Sequence, residues 1–480
     1  MQTTKFYSLY SGIFFLFFGY GLFLNSAGIK LAELGVTDII IGLLNAAFFV
    51  GAALSTIFAH RIVSSVGHIR SFSVFCAVFA VAALSHMMID SLWAWGILRI
   101  ILGFCHYSLL LLVESWMSEK TNTDNRGKVL ATYNIIFYIA FILGVSLLSL
   151  ELSSNNIFTL ATILVVMSMI PIALTKMVQP DIPERQRISV PRLFAISPLA
   201  LITSFISGML VNGFFTMVSV FMLKFSFSLG EISLYLMMSM VGGFISQLPM
   251  ASLSNRIGRR NAILACAVMA TITSLAGLFL ILQENLTAWI QYLVAFLFGC
   301  SLFSLYALSI ARANDELPNN MNTVEVSRGL LFCYGIGALV APPLLGLSMD
   351  ISAEYGFYAL FGLFSLLLLV CAALTKPIPK AERVDMQLTT PIATASTVEE
   401  IEIVEEELVP FDETAVQEYQ TQLENIEEEP DTEEIQTVEE TVQSDNIQIS
   451  TENQNNDEDQ SSAESQIDQD IQPLEKTKTL

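Results

Sequence analysis

Residues 39–70 read IIIGLLNAAFFVGAALSTIFA and then HRIVSSVGHIR. The first part, 39–59, carries no charge, and roughly 20 apolar residues let a helix cross a hydrocarbon core about 30 Å thick. The second part sets Arg61 and Arg70 around Gly67, a short basic turn of the kind that membrane proteins keep in the cytoplasm. Working outward, eleven further apolar stretches follow the same rule: 6–28, 71–89, 93–116, 129–150, 157–177, 196–223, 231–253, 262–282, 286–311, 325–349 and 355–375. With the amino terminus in the cytoplasm, eighteen Lys and Arg up to Arg383 fall on the cytoplasmic side and only Lys30 and Lys224 on the other, while Arg99 lies inside a span. The expectation is a multi-pass protein of the inner membrane with both termini cytoplasmic. The first stretch, Phe6 to Gly28, reads as a retained helix rather than a cleaved signal, because no small-residue cleavage site leads into a soluble domain.

Composition divides the chain in two. Residues 1–375 hold 18 basic and 16 acidic side chains, whereas 376–480 hold 5 basic and 29 acidic. That balance excludes nucleic acid as a partner. The tail is rich in Glu, Gln, Thr and Asp, nearly lacks aromatics, and is expected to stay disordered because it has no apolar face to bury. Its partner, if it has one, is not legible. Cys76, Cys105, Cys266, Cys300, Cys333 and Cys371 all fall in apolar spans without paired spacing, so they read as small buried hydrophobes and not as metal ligands.

The turn Ala59–Arg70 has a counterpart in Ala251–Arg260, with Gly67 and Gly258 lying 191 residues apart. Each turn follows the second span of a set of six. We therefore expect an all-α membrane fold of twelve helices in two pseudo-symmetric six-helix bundles, 1–178 and 196–375, joined by a basic linker at 179–195 and followed by the acidic tail at 376–480.

These two turns carry a resemblance. Leu253, Arg256, Gly258, Arg259 and Arg260 match the cytoplasmic loop signature of the major facilitator superfamily, although Ala251 and Asn255 stand at its Gly and Asp positions and Val63 at the Asp position of the first copy. Arg99 and Gly103 are similar to the superfamily's fourth-helix core. Val113-Glu114-Ser115 with Asn125-Arg126-Gly127-Lys128 and Tyr133 resembles the bacterial YcaD-like members. The proline of the drug-exporter antiporter signature is absent from Tyr138–Ser146. The resemblance implies a secondary transporter whose pathway is lined by the first, fourth, seventh and tenth spans. Their polar residues are Tyr20 and Asn25; Arg99 and His106; Asn212 and Thr216; and Ser304 and Tyr306. It also implies a gating network at the cytoplasmic face, whose missing Asp shifts the role to other acids.

Read from the residues themselves, Arg99 is the sharpest candidate, since an Arg inside a span is costly unless it faces a wet cavity or a partner. On a 3.6-residue helix it shares a face with Gly103, His106 and Leu110. A cationic Arg99 in the cavity favours an anionic or zwitterionic solute. Glu114, about 22 Å further along the same helix, is expected to pair with Arg126, Lys128 or Arg70, forming a gate with Arg256, Arg259 and Arg260. Asp350, at the end of the eleventh span, reads as a solvated helix terminus, and Trp93, Trp95, Trp116 and Trp289 as an interfacial belt.

The function expected is alternating-access transport of a small solute, coupled to protons through Glu114 or His106. An uncoupled facilitator, or a sensor signalling through the acidic tail, is the alternative. No catalytic constellation and no cofactor motif accompanies it: HExxH, GxSxG and phosphate-cradling loops are all missing, so an enzyme is not expected.

Overall fold

The apolar spans become helices because a chain in hydrocarbon must satisfy every backbone N–H and C=O within itself. The structure is a computed structural model describing residues 2–119, 126–174, 190–281, 288–317 and 323–379, so the acidic tail and most of the linker lie outside the described residues. Its helices are α1 (Gln2–Glu33), α2 (Asp38–Val66), α3 (His68–Ser85), α4 (Leu92–Glu119), α5 (Arg126–Ser146), α6 (Ser154–Met167) and α7 (Met169–Ala173) in the first half. The second half holds α8 (Val190–Ile196), α9 (Pro198–Lys224), α10 (Leu229–Ile257), α11 (Arg259–Ile281), α12 (Ala288–Asp315), α13 (Thr323–Ile351) and α14 (Gly356–Leu374). Among the described residues twelve spans are long and apolar enough to cross a membrane, α6 and α7 together making one of them, as the sequence pattern requires.

The two basic turns are built alike. Gly67 alone joins α2 to α3 with φ 88° and ψ 157°, and Gly258 alone joins α10 to α11 with φ 93° and ψ 154°. A side chain at either position would be strained by the positive φ, which is why glycine stands at both. The flanking hydrogen bonds repeat in register: Gly67 N–H to Val63 and Ser71 N–H to Gly67 are matched by Gly258 N–H to Ser254 and Ala262 N–H to Gly258. A second correspondence lies in the packing. Gly51 and Gly103 let α2 and α4 meet backbone to backbone at the Ile100 and Phe48 carbonyls. Gly242 and Gly299 do the same for α10 and α12 at Phe296 and Ser239. Both observations mark the halves as repeats.

Large apolar side chains cover the outside as well as the core. Val81, Ile97, Ile139, Ile272, Phe279 and Leu363 are exposed, as lipid-facing surface should be. Trp93 and Trp289 are exposed near helix ends, in keeping with a belt. Trp95 and Trp116 are not part of one: both are buried, Trp95 donating its indole N–H to the Ile89 carbonyl at 2.7 Å and Trp116 packing against Phe72 and His68. Proximity to a span end does not fix the direction in which a ring points.

The halves meet through α2 against α13, α5 against α10 and α1 against α9. Polar contacts between described residues of the two halves gather at mid-span and toward the far end, the end that carries Lys30 and Lys224. There Asp350 of α13 accepts the Asp38 and Ile39 N–H groups of α2 at 3.0 and 2.9 Å, and Lys224 of α9 forms an ion pair with Asp38. Asp350 is therefore exposed, as a terminus at the interface should be, and is also a helix cap reaching across the halves. Beneath it, Ser219 of α9 donates to Asn25 Oδ1 of α1 at 2.8 Å.

Candidate functional site

A cavity of about 200 Å³ opens between the halves at mid-span. Its walls come from α1, α2, α4 and α5 on one side and α9, α10 and α13 on the other. The lining residues of α2 (Phe49 to Ile57), α4 (His106 to Leu110) and α13 (Leu331 to Leu339) lie level with the cross-half contacts or on the side of them away from Lys30 and Lys224, the end at which the chain's amino terminus lies.

Of the residues expected along the pathway, Tyr20, His106 and Asn212 line this cavity. His106 is fully buried and stacks on Tyr20 with centroids 3.8 Å apart and planes 15° from parallel. Neither ring nitrogen has a hydrogen-bond partner among the described residues. Asn212 donates to the Gly208 carbonyl at 3.0 Å and hydrogen-bonds Tyr334.

The other expected pathway residues sit behind the wall. Arg99 is fully buried and turned toward α2. Its Nη2 donates to Asn45 Oδ1 at 2.6 Å and its Nε to the Leu44 carbonyl at 3.4 Å, with Cζ 5.2 Å from the Phe48 ring and 5.7 Å from Phe23. Asn45 in turn donates to the Thr216 carbonyl at 3.1 Å, so the chain Arg99–Asn45–Thr216 ties α4 and α2 to α9. Asn25 belongs to the far-end contacts already described. Ser304 donates to the Cys300 carbonyl at 3.2 Å, and Tyr306 packs edge-on against Tyr334 at 5.0 Å.

At the amino-terminal end, Glu114 is buried and lies within electrostatic reach of Tyr133. The side chain of Arg126, one of its expected partners, lies outside the described residues. Arg70 and Arg256 are exposed, and no ion pair between described residues includes them. Arg259 is buried, with Nε 3.2 Å from Asp315 Oδ2 and Nη1 donating to Ser254 and to Asn255. Asp315, at the end of α12, thus faces an arginine of the basic turn. Arg260 closes the carboxyl end of α14 through the Ala372 and Ala373 carbonyls at 2.9 and 2.8 Å.

Sequence reasoning passed over Asn45, Tyr107, Tyr334 and the far-end group Asp38–Lys224–Asp350. A signal existed for the last of these, because Lys224 is one of only two basic residues on its side of the membrane. Nothing in the sequence tells which neighbours meet Asn45.

The Major Facilitator Superfamily family profile matches residues 9–324. The chain belongs to the major facilitator superfamily. It is 25% identical over 313 residues to an uncharacterized MFS-type transporter of Yersinia enterocolitica, covering 65% of this chain and 80% of that one. It is 22% identical over 314 residues to the uncharacterized MFS-type transporter YcaD of Salmonella newport, with the same coverage. Among solved structures it is similar to the nucleoside transporter NupG, with TM-score 0.61 and 15% identity over 77% of this chain and 97% of that one. An inward-facing bacterial homologue of the lysosomal transporter Spinster gives TM-score 0.59 and 13% identity over 83% and 98%. At such identities these structures show the fold. This superfamily member is accordingly a multi-pass membrane transport protein for a small solute, and not an enzyme.

Proposed function

We propose that the chain is a secondary active transporter working by alternating access, with the central cavity as its solute site and a proton as the coupling ion. The observation that carries this reading is the asymmetry of the contacts between halves. α2, α9 and α13 are locked together beyond the cavity at the far end, by the Asp350 cap and the Asp38–Lys224 pair. The charge asymmetry of the loops supports an extracellular far end, and with it an inward-facing arrangement. Rocking the repeats about the cavity would open the far end and close the other.

Glu114 is the carboxylate best placed to carry the proton, being buried near the amino-terminal end of α5 and close to Tyr133. Proteoliposomes loaded with a pH-sensitive dye and pulsed with a metabolite panel test this. Solute-driven proton movement is expected in the parent and absent in Glu114→Gln. Solute flux that ignores an imposed pH gradient would leave a facilitator instead.

A further inference from the structure

We propose that the cavity is built for an uncharged, planar aromatic solute bearing one hydrogen-bonding group, with Tyr107 of α4 as the hydrogen-bonding residue. This rests on the transporter reading only for the movement of the solute, not for its binding. Among the described residues, no Asp, Glu, Lys or Arg lines the cavity. An ion entering it would lose water without meeting a counter-charge, a cost that apolar contact does not offset. The cation expected to meet an anionic solute is committed elsewhere: Arg99 faces Asn45 and the Leu44 carbonyl. Phe48 abuts both it and His106, its ring 6.1 Å from the imidazole. The anionic or zwitterionic solute that the sequence suggested thus has no charge to bind.

What the lining does present is aromatic faces on both sides. Tyr20, Phe137 and Phe141 come from the first half, and Phe215, Phe332 and Tyr334 from the second. Rings on opposing walls suit a flat apolar body that stacks or meets them edge to face. The polar groups are few, and Thr56 is spent on the Ala53 carbonyl. Asn212 and Tyr334 serve each other, and the Asn212 amide also holds the Gly208 carbonyl. His106 lines the cavity but adds no reachable polar group, since both its ring nitrogens are buried without accessible surface. The hydroxyl of Tyr107, a partly exposed residue of the lining, is left to meet one polar group of a solute, such as an amide or hydroxyl.

One position allows the cavity to be filled without disturbing the fold. A Cβ built on Gly335 of α13 meets nothing within 4 Å, and the residue lines the cavity. Gly335→Leu would project into open space and also remove a helix-interior glycine, so it should fold at least as well as the parent.

The test uses three probes of nearly one shape: neutral benzamide, anionic benzoate and cationic benzylamine. Binding of radiolabelled benzamide to the detergent-purified full chain is measured, with the other two as competitors. Benzamide is expected to bind, with benzoate and benzylamine at least tenfold weaker. Gly335→Leu should abolish binding while keeping the parent's elution profile and melting temperature. Tyr107→Phe should weaken benzamide about tenfold. Equal or tighter binding of either charged probe, no binding of benzamide, or parent-like binding by Gly335→Leu would overturn the proposal. Uptake of benzamide into proteoliposomes, against protein-free liposomes, separates the two readings. Binding without uptake sinks transport and keeps the cavity chemistry, whereas preferential uptake of a charged probe keeps transport and sinks the solute class.

Discussion

At the scale of single residues, Arg99 shows how a buried charge can serve structure next to a binding site. Its guanidinium bridges two helices directly and reaches a third through Asn45. Arg99→Ala would strand Asn45 Oδ1 in a dry interior, a loss of about 1–3 kcal/mol. The expected outcome is an apparent melting temperature several degrees below the parent. Because Arg99 stands behind the cavity wall, solute KM should stay near the parent value while turnover falls. An unchanged melting temperature with a large rise in KM would instead place Arg99 in contact with solute. The sequence made Arg99 conspicuous through its cost in lipid, and the 3.6-residue face it shares with His106 is real. The direction of its side chain was not legible, because α4 packs closely on α2 where Gly103 meets the Phe48 carbonyl. The amino-terminal part of that face therefore meets a helix, and the part beyond it meets the cavity.

Among elements, the far-end junction of α2, α9 and α13 decides which side is open. Asp350 holds the first turn of α2 with two charge-assisted hydrogen bonds, and a carboxylate at a helix amino terminus gains further from the helix dipole. Asp350→Asn keeps the shape and removes the charge. A loss of about 1.4 kcal/mol there would shift the population toward the far-end-open state about tenfold. Gly346→Leu acts by bulk, since a side chain at Gly346 would press on the Asp38 carbonyl and the Ile39 backbone. Spin-label distances between the far ends of α2 and α13 should lengthen in both variants. Unaltered distances would show that the junction is not the latch. Here the sequence was partly informative. The single-glycine turns at Gly67 and Gly258 were legible as repeats from spacing alone, because a positive φ leaves little choice of residue. The exposure of Asp350 was legible but its capping role was not, since a partner in another half, 312 residues away along the chain, leaves no local trace.

For the whole molecule, hydropathy spoke most clearly, because bilayer thickness fixes span length without reference to any neighbour. Cavity chemistry spoke least, since the walls come from seven helices whose rotations are set by packing. The inward-facing assignment depends on sidedness, and sidedness rests on where the basic residues lie. In a background with the six cysteines replaced, Leu34→Cys and Arg61→Cys provide the comparison, both positions being exposed at opposite ends of α2's neighbourhood. Leu34 closes the α1–α2 turn at the far end, where Gly35 takes φ 71°, and Arg61 lies between one and two turns before Gly67. A membrane-impermeant maleimide applied to intact cells should label Leu34→Cys and spare Arg61→Cys until the membrane is permeabilised. Removal of 385–480 should leave this pattern and solute transport intact if the acidic tail is a solvated extension. Loss of a cellular response with transport preserved would assign the tail a signalling role. Labelling of Arg61→Cys from outside would invert the topology, turning the closed junction of α2, α9 and α13 into a cytoplasmic gate and the cavity into an outward-facing one.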